Sequence, residues 1–220
     1  MNVRSFSFLL FFVAFVLVSG VAQGYKLGFT AGTNYSFLHA DMFETASGRL
    51  GGVVGCSFLI NMGDKFEFNQ EIIFTQKGAS ARAAYFQAEQ QPDIRTYAYY
   101  YNTFETGVFV GYKPMKTVPV RFQLGGFCGT HFHVLDRNSR ELFVGNYKNV
   151  NLATRAVDLN DAFSGVDYGP AIGVSGGDNR FRINARYYYG MRNLYKNLDF
   201  VEGGHHIRTG ALRLTLTYFL

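Results

Sequence analysis

The chain has 220 residues, a formal net charge of +5, 48% hydrophobic residues, 23 phenylalanines, 15 tyrosines and only two cysteines. Two cysteines are too few for a disulfide-built scaffold, and the basic residues form no run, which argues against nucleic acid as a partner. Beyond the first two dozen residues no stretch is long and apolar enough for a spanning helix. A closed β-barrel, which satisfies every backbone group internally, is the remaining way for this chain to cross a membrane.

Residues 1–24 read MNVRSFSFLLFFVAFVLVSGVAQG, with one positive charge at Arg4, an apolar run from Phe6 to Val18 and small residues in Ala22-Gln23-Gly24. This is the pattern of a secretory signal peptide cleaved before Tyr25. The run is shorter than the roughly 20 residues of a spanning helix, which disfavours a retained anchor. Residues 25–220 are then one exported domain.

Eight segments of that domain alternate with period two, the signature of strands. The first, 25–38, sets Tyr25, Leu27, Phe29, Ala31, Tyr35 and Phe37 against Lys26, Gly28, Thr30, Asn34 and Ser36. The second, near 49–61, carries Leu50, Val54, Cys56, Phe58 and Ile60 on its apolar side. The third, FEFNQEIIFTQKGAS at 66–80, places Phe66, Phe68, Ile72 and Phe74 opposite Glu67, Asn69, Glu71, Thr75 and Lys77. The fourth, near 97–112, opposes Phe104, Val108, Val110 and Tyr112 to Glu105, Gly107 and Gly111. The fifth, near 118–133, opposes Val120, Phe122 and Leu124 to Arg121, Gln123 and Gly125. The sixth, near 163–175, opposes Val166, Tyr168, Ile172 and Val174 to Asp167, Gly169 and Gly173. The seventh, near 180–192, opposes Phe181, Ile183, Tyr187 and Tyr189 to Arg182, Asn184, Arg186 and Gly190. The eighth, 207–220, opposes Leu212, Leu214, Leu216, Tyr218 and Leu220 to Arg213, Thr215 and Thr217.

The links alternate as well. Met62 to Lys65, Lys113 to Thr117 and Gly176 to Asn179 are tight turns rich in Gly, Pro, Asp and Asn. Those near 39–48, 79–95, 134–162 and 193–206 are longer. Short periplasmic turns alternating with longer extracellular loops predict an all-β, eight-stranded, antiparallel, up-and-down transmembrane β-barrel with both termini periplasmic.

A soluble barrel of the same pattern would turn its apolar face inward around a ligand. Here the apolar face is bulky and aromatic, and the segments exceed the roughly 9–11 residues of a tilted spanning strand. Tyr25, Tyr35, Tyr112, Tyr168, Tyr187 and Tyr218 stand near segment ends, where phenols reach head groups. The polar face mixes glycine with charge. Glu67, Glu71, Glu105 and Asp167 would face Arg121, Arg182, Arg186 and Arg213 across a lumen just wide enough for side chains. Charges removed from water must be paired, so the expectation is a salt-bridged, plugged lumen, with Arg186 the partner of Glu71. Cys56 and Cys128 both have outward parity on non-neighbouring strands, which predicts two free thiols facing lipid.

Four stretches carry a resemblance. QEIIFTQKG, FETGVFVGYK, VDYGPAIGV and NARYYYGMRNL resemble, in this order, hairpin strands of the PorT-like outer-membrane β-barrel proteins of Gram-negative bacteria. The likeness extends over essentially all of residues 25–220. Glu71, Gln76, Lys77, Gly78, Glu105, Gly169, Gly173, Arg186, Tyr187 and Gly190 match recurrent positions of that pattern. Gln70 stands where such proteins often have proline, which implies a local bulge there. The chain ends Phe219-Leu220, whereas such barrels commonly end in an aromatic residue. The resemblance implies an outer-membrane barrel of the porin family. It does not imply one function, although the namesake is tied to a protein-secretion system.

No catalytic, cofactor or metal site emerges. His131 and His133 lie inward at i, i+2, and His205-His206 follow in the last loop, yet no third ligand type joins them. Ser57, Ser164 and Ser175 sit in no signature with histidine. Tyr97, Tyr99, Tyr100 and Tyr101, at the outer end of the fourth strand, form a candidate partner surface. The charges of loop 134–162 cancel. The expected role is structural or binding, through the extracellular loops, as a monomer in contact with outer-membrane lipid. A component of a secretion assembly, a narrow channel and a lipid-active enzyme are the alternatives.

Overall fold

The computed structural model describes residues 25–39, 47–85, 93–115, 118–133, 143–144, 154–155, 165–193 and 208–220, and the side chains of these except 81–99, 133, 143–144 and 154–155. The expected signal peptide, His205-His206 and most of loop 134–162 lie outside the described residues.

Among the described residues ten strands follow in order: β1 (Tyr25–His39), β2 (Ser47–Met62), β3 (Phe66–Tyr85), β4 (Asp93–Tyr112), β5 (Val120–His133), β6 (Phe143–Val144), β7 (Thr154–Arg155), β8 (Val166–Gly177), β9 (Phe181–Tyr189) and β10 (Arg208–Phe219). Eight of them make the barrel. β1 to β5 and β8 to β10 each pair antiparallel with their neighbours in that order, and β10 returns to β1. Closure leaves the eight-stranded wall no open edge, so the wall can sit in hydrocarbon.

Burial separates the two faces. Phe29 is 57% exposed and Leu214 55%, whereas Glu71 is 2% exposed and Asp167 0%. The alternation therefore turns apolar side chains outward along every wall strand, where only lipid can cover them. Tyrosines ring both ends of this band. Tyr25, Tyr112 and Tyr218 stand exposed at the short-turn end, with Phe66 5.3 Å from Tyr112 and Phe181 5.1 Å from Tyr218. Tyr35 and Tyr168 are exposed toward the loop end.

The short turns carry the local chemistry expected of them. Gly63 takes φ +76° and Gly177 φ +136°, conformations that side-chain-bearing residues rarely adopt. Between β8 and β9 the Asp178 carboxylate accepts the N–H groups of Arg180 and Phe181, each at 2.7 Å. The Phe181 and then the Arg180 hydrogen bond hold that exposed carboxyl below its ordinary range.

Three details differ from the sequence reading. The link expected near 79–95 is mostly ladder, since β3 and β4 stay paired out to Tyr85 and Asp93. No glycine or proline interrupts ASARAAY, so the hairpin runs on past the lipid band. Residues 134–162 also contain β6 and β7, which add to the outer end of β3. Finally, Gln70 is in unbroken register with Phe58 and Val108, and the shift lies in β2 between Gly48 and Val53. Gly51-Gly52 supplies the conformational freedom a bulge needs, and Gln70 stays in line and is buried.

Candidate functional site

The feature of the barrel with the most organised chemistry is its interior, which is built in tiers from the short-turn end. In the first, the Glu67 carboxylate takes Arg121 Nε on one oxygen and Arg182 Nη1 on the other, both at 2.8 Å. In the second, Arg186 Nη1 lies 2.6 Å from Glu71 Oε2, and Arg186 Nε donates to Gln123 Oε1 at 2.6 Å. Asn69 Nδ2 donates to the other Glu71 oxygen at 3.1 Å, and Asn69 Oδ1 accepts from the Ser57 hydroxyl at 2.7 Å. In the third, Glu105 pairs with Lys77 through one oxygen and with Arg213 Nη2 through the other at 2.5 Å. Nearest the loops, the Thr209 hydroxyl donates to Asp167 Oδ2 at 2.5 Å, and His131 Nδ1 lies 2.8 Å from the Thr103 hydroxyl.

Sequence alternation explains why these groups can fit. Glu67 is paired in register with Gly111, Glu71 with Gly107, Glu105 with Gly129 and Arg186 with Gly173. A Cβ at Gly111 would come within 2.6 Å of Glu67 Cγ, and one at Gly129 within 2.7 Å of Glu105 Cγ. Glycine on the adjoining strand is the space that the long charged side chain occupies.

The interior is also more aromatic than the alternation reading allowed. Phe109, Phe127 and Tyr188 point inward and cluster with Ala171 and Ala211. Their rings cap the cations: Arg186 Cζ lies 4.0 Å from the Phe109 centroid, Arg213 Cζ 4.0 Å from Tyr188, and Lys77 Nζ 5.2 Å from Phe127. Stacking on a ring face favours a desolvated cation by about 2 kcal/mol. The gap bounded by Glu71, Glu105, Phe109, Phe127, Tyr188 and Arg213 has no room for a water molecule.

All eight charged residues singled out in the sequence lie inside, with Arg121 the least buried of them. Seven of them, with Lys77 added, form ion pairs. Asp167 is bonded to Thr209 and has no base at ion-pair distance among the described residues. Lys77 was missed as a member, although it shares parity with Glu67 and Glu71. Phe109 and Phe127 carry the same signal, sharing parity with Glu105 and Gln123.

The tyrosine surface needs correction. Tyr101 is 1% exposed, its ring edge-on to His131 at 4.8 Å. Inward parity on a wall strand places it in the lumen rather than on a contact face. Tyr100 is half-buried, with Arg49 Cζ 3.9 Å above its ring. The side chains of Tyr97, Tyr99 and His133 lie outside the described residues. Cys56 and Cys128 are free thiols on β2 and β5, at outward positions.

A family model for the outer membrane protein beta-barrel domain matches residues 19–196. The chain belongs to that family. This outer-membrane barrel also resembles solved structures at low identity. Neisserial surface protein A aligns over 89% of this chain and 99% of its own, at 13% identity and TM-score 0.45. The attachment invasion locus protein Ail of Yersinia pestis aligns over 90% and 100%, at 12% identity and TM-score 0.40. The outer membrane protein OprG of Pseudomonas aeruginosa aligns over 90% and 96%, at 10% identity and TM-score 0.41. No curated protein matches the sequence.

Replacing Glu71 by leucine is expected to lower the unfolding free energy by about 3 kcal/mol, because Arg186 keeps Gln123 but loses its buried counter-charge. Urea titration of the folded barrel in lipid vesicles, followed by its heat-dependent gel shift, reads this directly. Unchanged stability would mean that the pair is not structural.

Proposed function

We propose that this outer-membrane barrel is a structural and contact-making protein, not a conduit. In this reading its lumen is plugged and its longer links present a surface to other envelope components, with both termini on the periplasmic side. The observation that carries the reading is the packing of Glu71, Glu105 and Arg213 against Phe109, Phe127 and Tyr188 around a gap too small for a water molecule, with Lys77 stacked on Phe127. A diffusing solute would have to part ion pairs buried in low dielectric, each of which is costly to open. No covalent chemistry is assigned to it. Purified barrel in planar bilayers is expected to give no discrete current steps. Regular steps at moderate voltage would replace this reading with a narrow channel.

A finer identity is favoured by the four hairpin stretches quoted above, which resemble PorT-like proteins. On that reading the barrel is a component of a protein-secretion assembly. Its expected signature is co-capture of other envelope proteins by the full chain from intact membranes, lost when the longer links are shortened.

A further inference from the structure

The outward face is not uniformly bulky. Across β2, β1, β10, β9 and β8 one row of cross-strand neighbours reads Leu50, Tyr35, Leu212, Tyr187 and Ile172. The next row toward the short turns reads Gly52, Thr33, Leu214, Ala185 and Val174. Small side chains at Thr33 and Ala185, below the two tyrosines, leave an apolar groove of about 460 Å³, within the roughly 300–1,000 Å³ of ligand sites.

Above that groove, toward the loops, the same strands carry cations and aromatics. Arg208 of β10 is in register with His39 of β1. Its Nη1 donates to the Tyr189 hydroxyl at 2.8 Å, and its Nε is buried without a hydrogen-bond partner. The His39 ring stands 5.1 Å from Phe37 and 6.0 Å from Tyr189. Among the described residues no carboxylate stands at these outward positions, so none of them offsets the guanidinium charge there. Four strand residues, roughly 13 Å, separate Arg208 from Leu212 at the groove. That distance is within the reach of an acyl chain whose head group lies at Arg208.

We propose that this face binds one anionic, phosphate-bearing lipid, its phosphate on Arg208 and His39 and one acyl chain in the groove beside Thr33 and Ala185. Charge complementarity selects the head group and shape selects the chain. Ordinary annular lipid would need neither feature. The site stands on the lipid-facing wall and does not depend on whether the lumen conducts.

The test is native mass spectrometry of the folded full chain released from neutral detergent, with phosphatidylglycerol and phosphatidylcholine as probes. The barrel is expected to retain phosphatidylglycerol about fivefold over phosphatidylcholine, the preference one basic side chain near a head group confers. Arg208→Gln should abolish that preference. Ala185→Phe, which fills the groove, should lower retention of both lipids while leaving the preference, and Thr33→Phe does the same from β1 if the first variant fails to fold. Equal retention by the wild type, or an unchanged preference in Arg208→Gln, overturns the proposal. So does a dimer in the same spectra that Ala185→Phe abolishes, because the groove would then belong to a second copy of the chain.

Discussion

Glu105→Leu is expected to be the most damaging substitution in the lumen, lowering the unfolding free energy by about 5 kcal/mol, the upper end for breaking a buried pair. The reason lies in the number of charges it strands. Glu105 serves both Lys77 and Arg213, and the three side chains are each 3% exposed or less. Leucine is of similar size but leaves two buried cations without their carboxylate. Aromatic rings over Lys77 and Arg213 soften that loss without replacing the carboxylate. Lys77→Met alone should cost less, since Glu105 keeps Arg213. Adding Lys77→Met to Glu105→Leu should recover part of the lost stability, a coupling that a double-mutant cycle in urea isolates. Stability within about 1 kcal/mol of wild type in Glu105→Leu would show that the charged tiers are tolerated rather than structural.

Tyr188→Ala should cost about 4 kcal/mol and also change what the barrel lets through. The Tyr188 ring lies edge-on to Phe127 at 5.4 Å and to Phe109 at 6.2 Å, and it carries Arg213 on its face at 4.0 Å. Removing it leaves a void beside Glu71, Glu105 and Arg213, which are polar enough to hold water. The variant is therefore expected to show brief current steps in planar bilayers, whereas none are expected of the wild type. Tyr188→Phe should behave nearly as wild type, because the hydroxyl makes only a 3.5 Å contact from Arg186 Nη1. A stable, silent Tyr188→Ala would place the barrier to permeation elsewhere in the lumen.

Much of the wall was legible from period-two alternation, because a strand sends successive side chains to opposite faces whatever it pairs with. That rule assigned Phe66, Phe68, Ile72 and Phe74 to lipid and Glu67 and Glu71 to the interior before any partner was known. It failed where a second inference was laid over it. The tyrosine-rich surface takes Tyr101 outward against its own parity because tyrosine is common in binding sites, whereas Phe109 and Phe127 share the inward parity of Glu105 and Gln123. In each case parity alone would have been right. The extent of the β3–β4 ladder and the place of the bulge were weaker signals, since the end of a hairpin depends on pairing with a neighbour rather than on pattern.

By itself the sequence determined the class of the molecule: strand number, alternation of short and long links, apolar outside, charged inside. Those properties are local, repeated along the chain and insensitive to small errors in strand ends. Which charge meets which was decided only by the closed barrel. Glu71 and Arg186 are 115 residues apart, as are Glu67 and Arg182, and β3 and β9 share no ladder. Their meeting depends on closure of β10 onto β1 and on the stagger of every intervening register. The same closure gave Lys77 a share of Glu105 and left Asp167 to the Thr209 hydroxyl. Alternation names the inward face of each strand, while stagger and closure set the height at which each inward side chain meets the opposite wall.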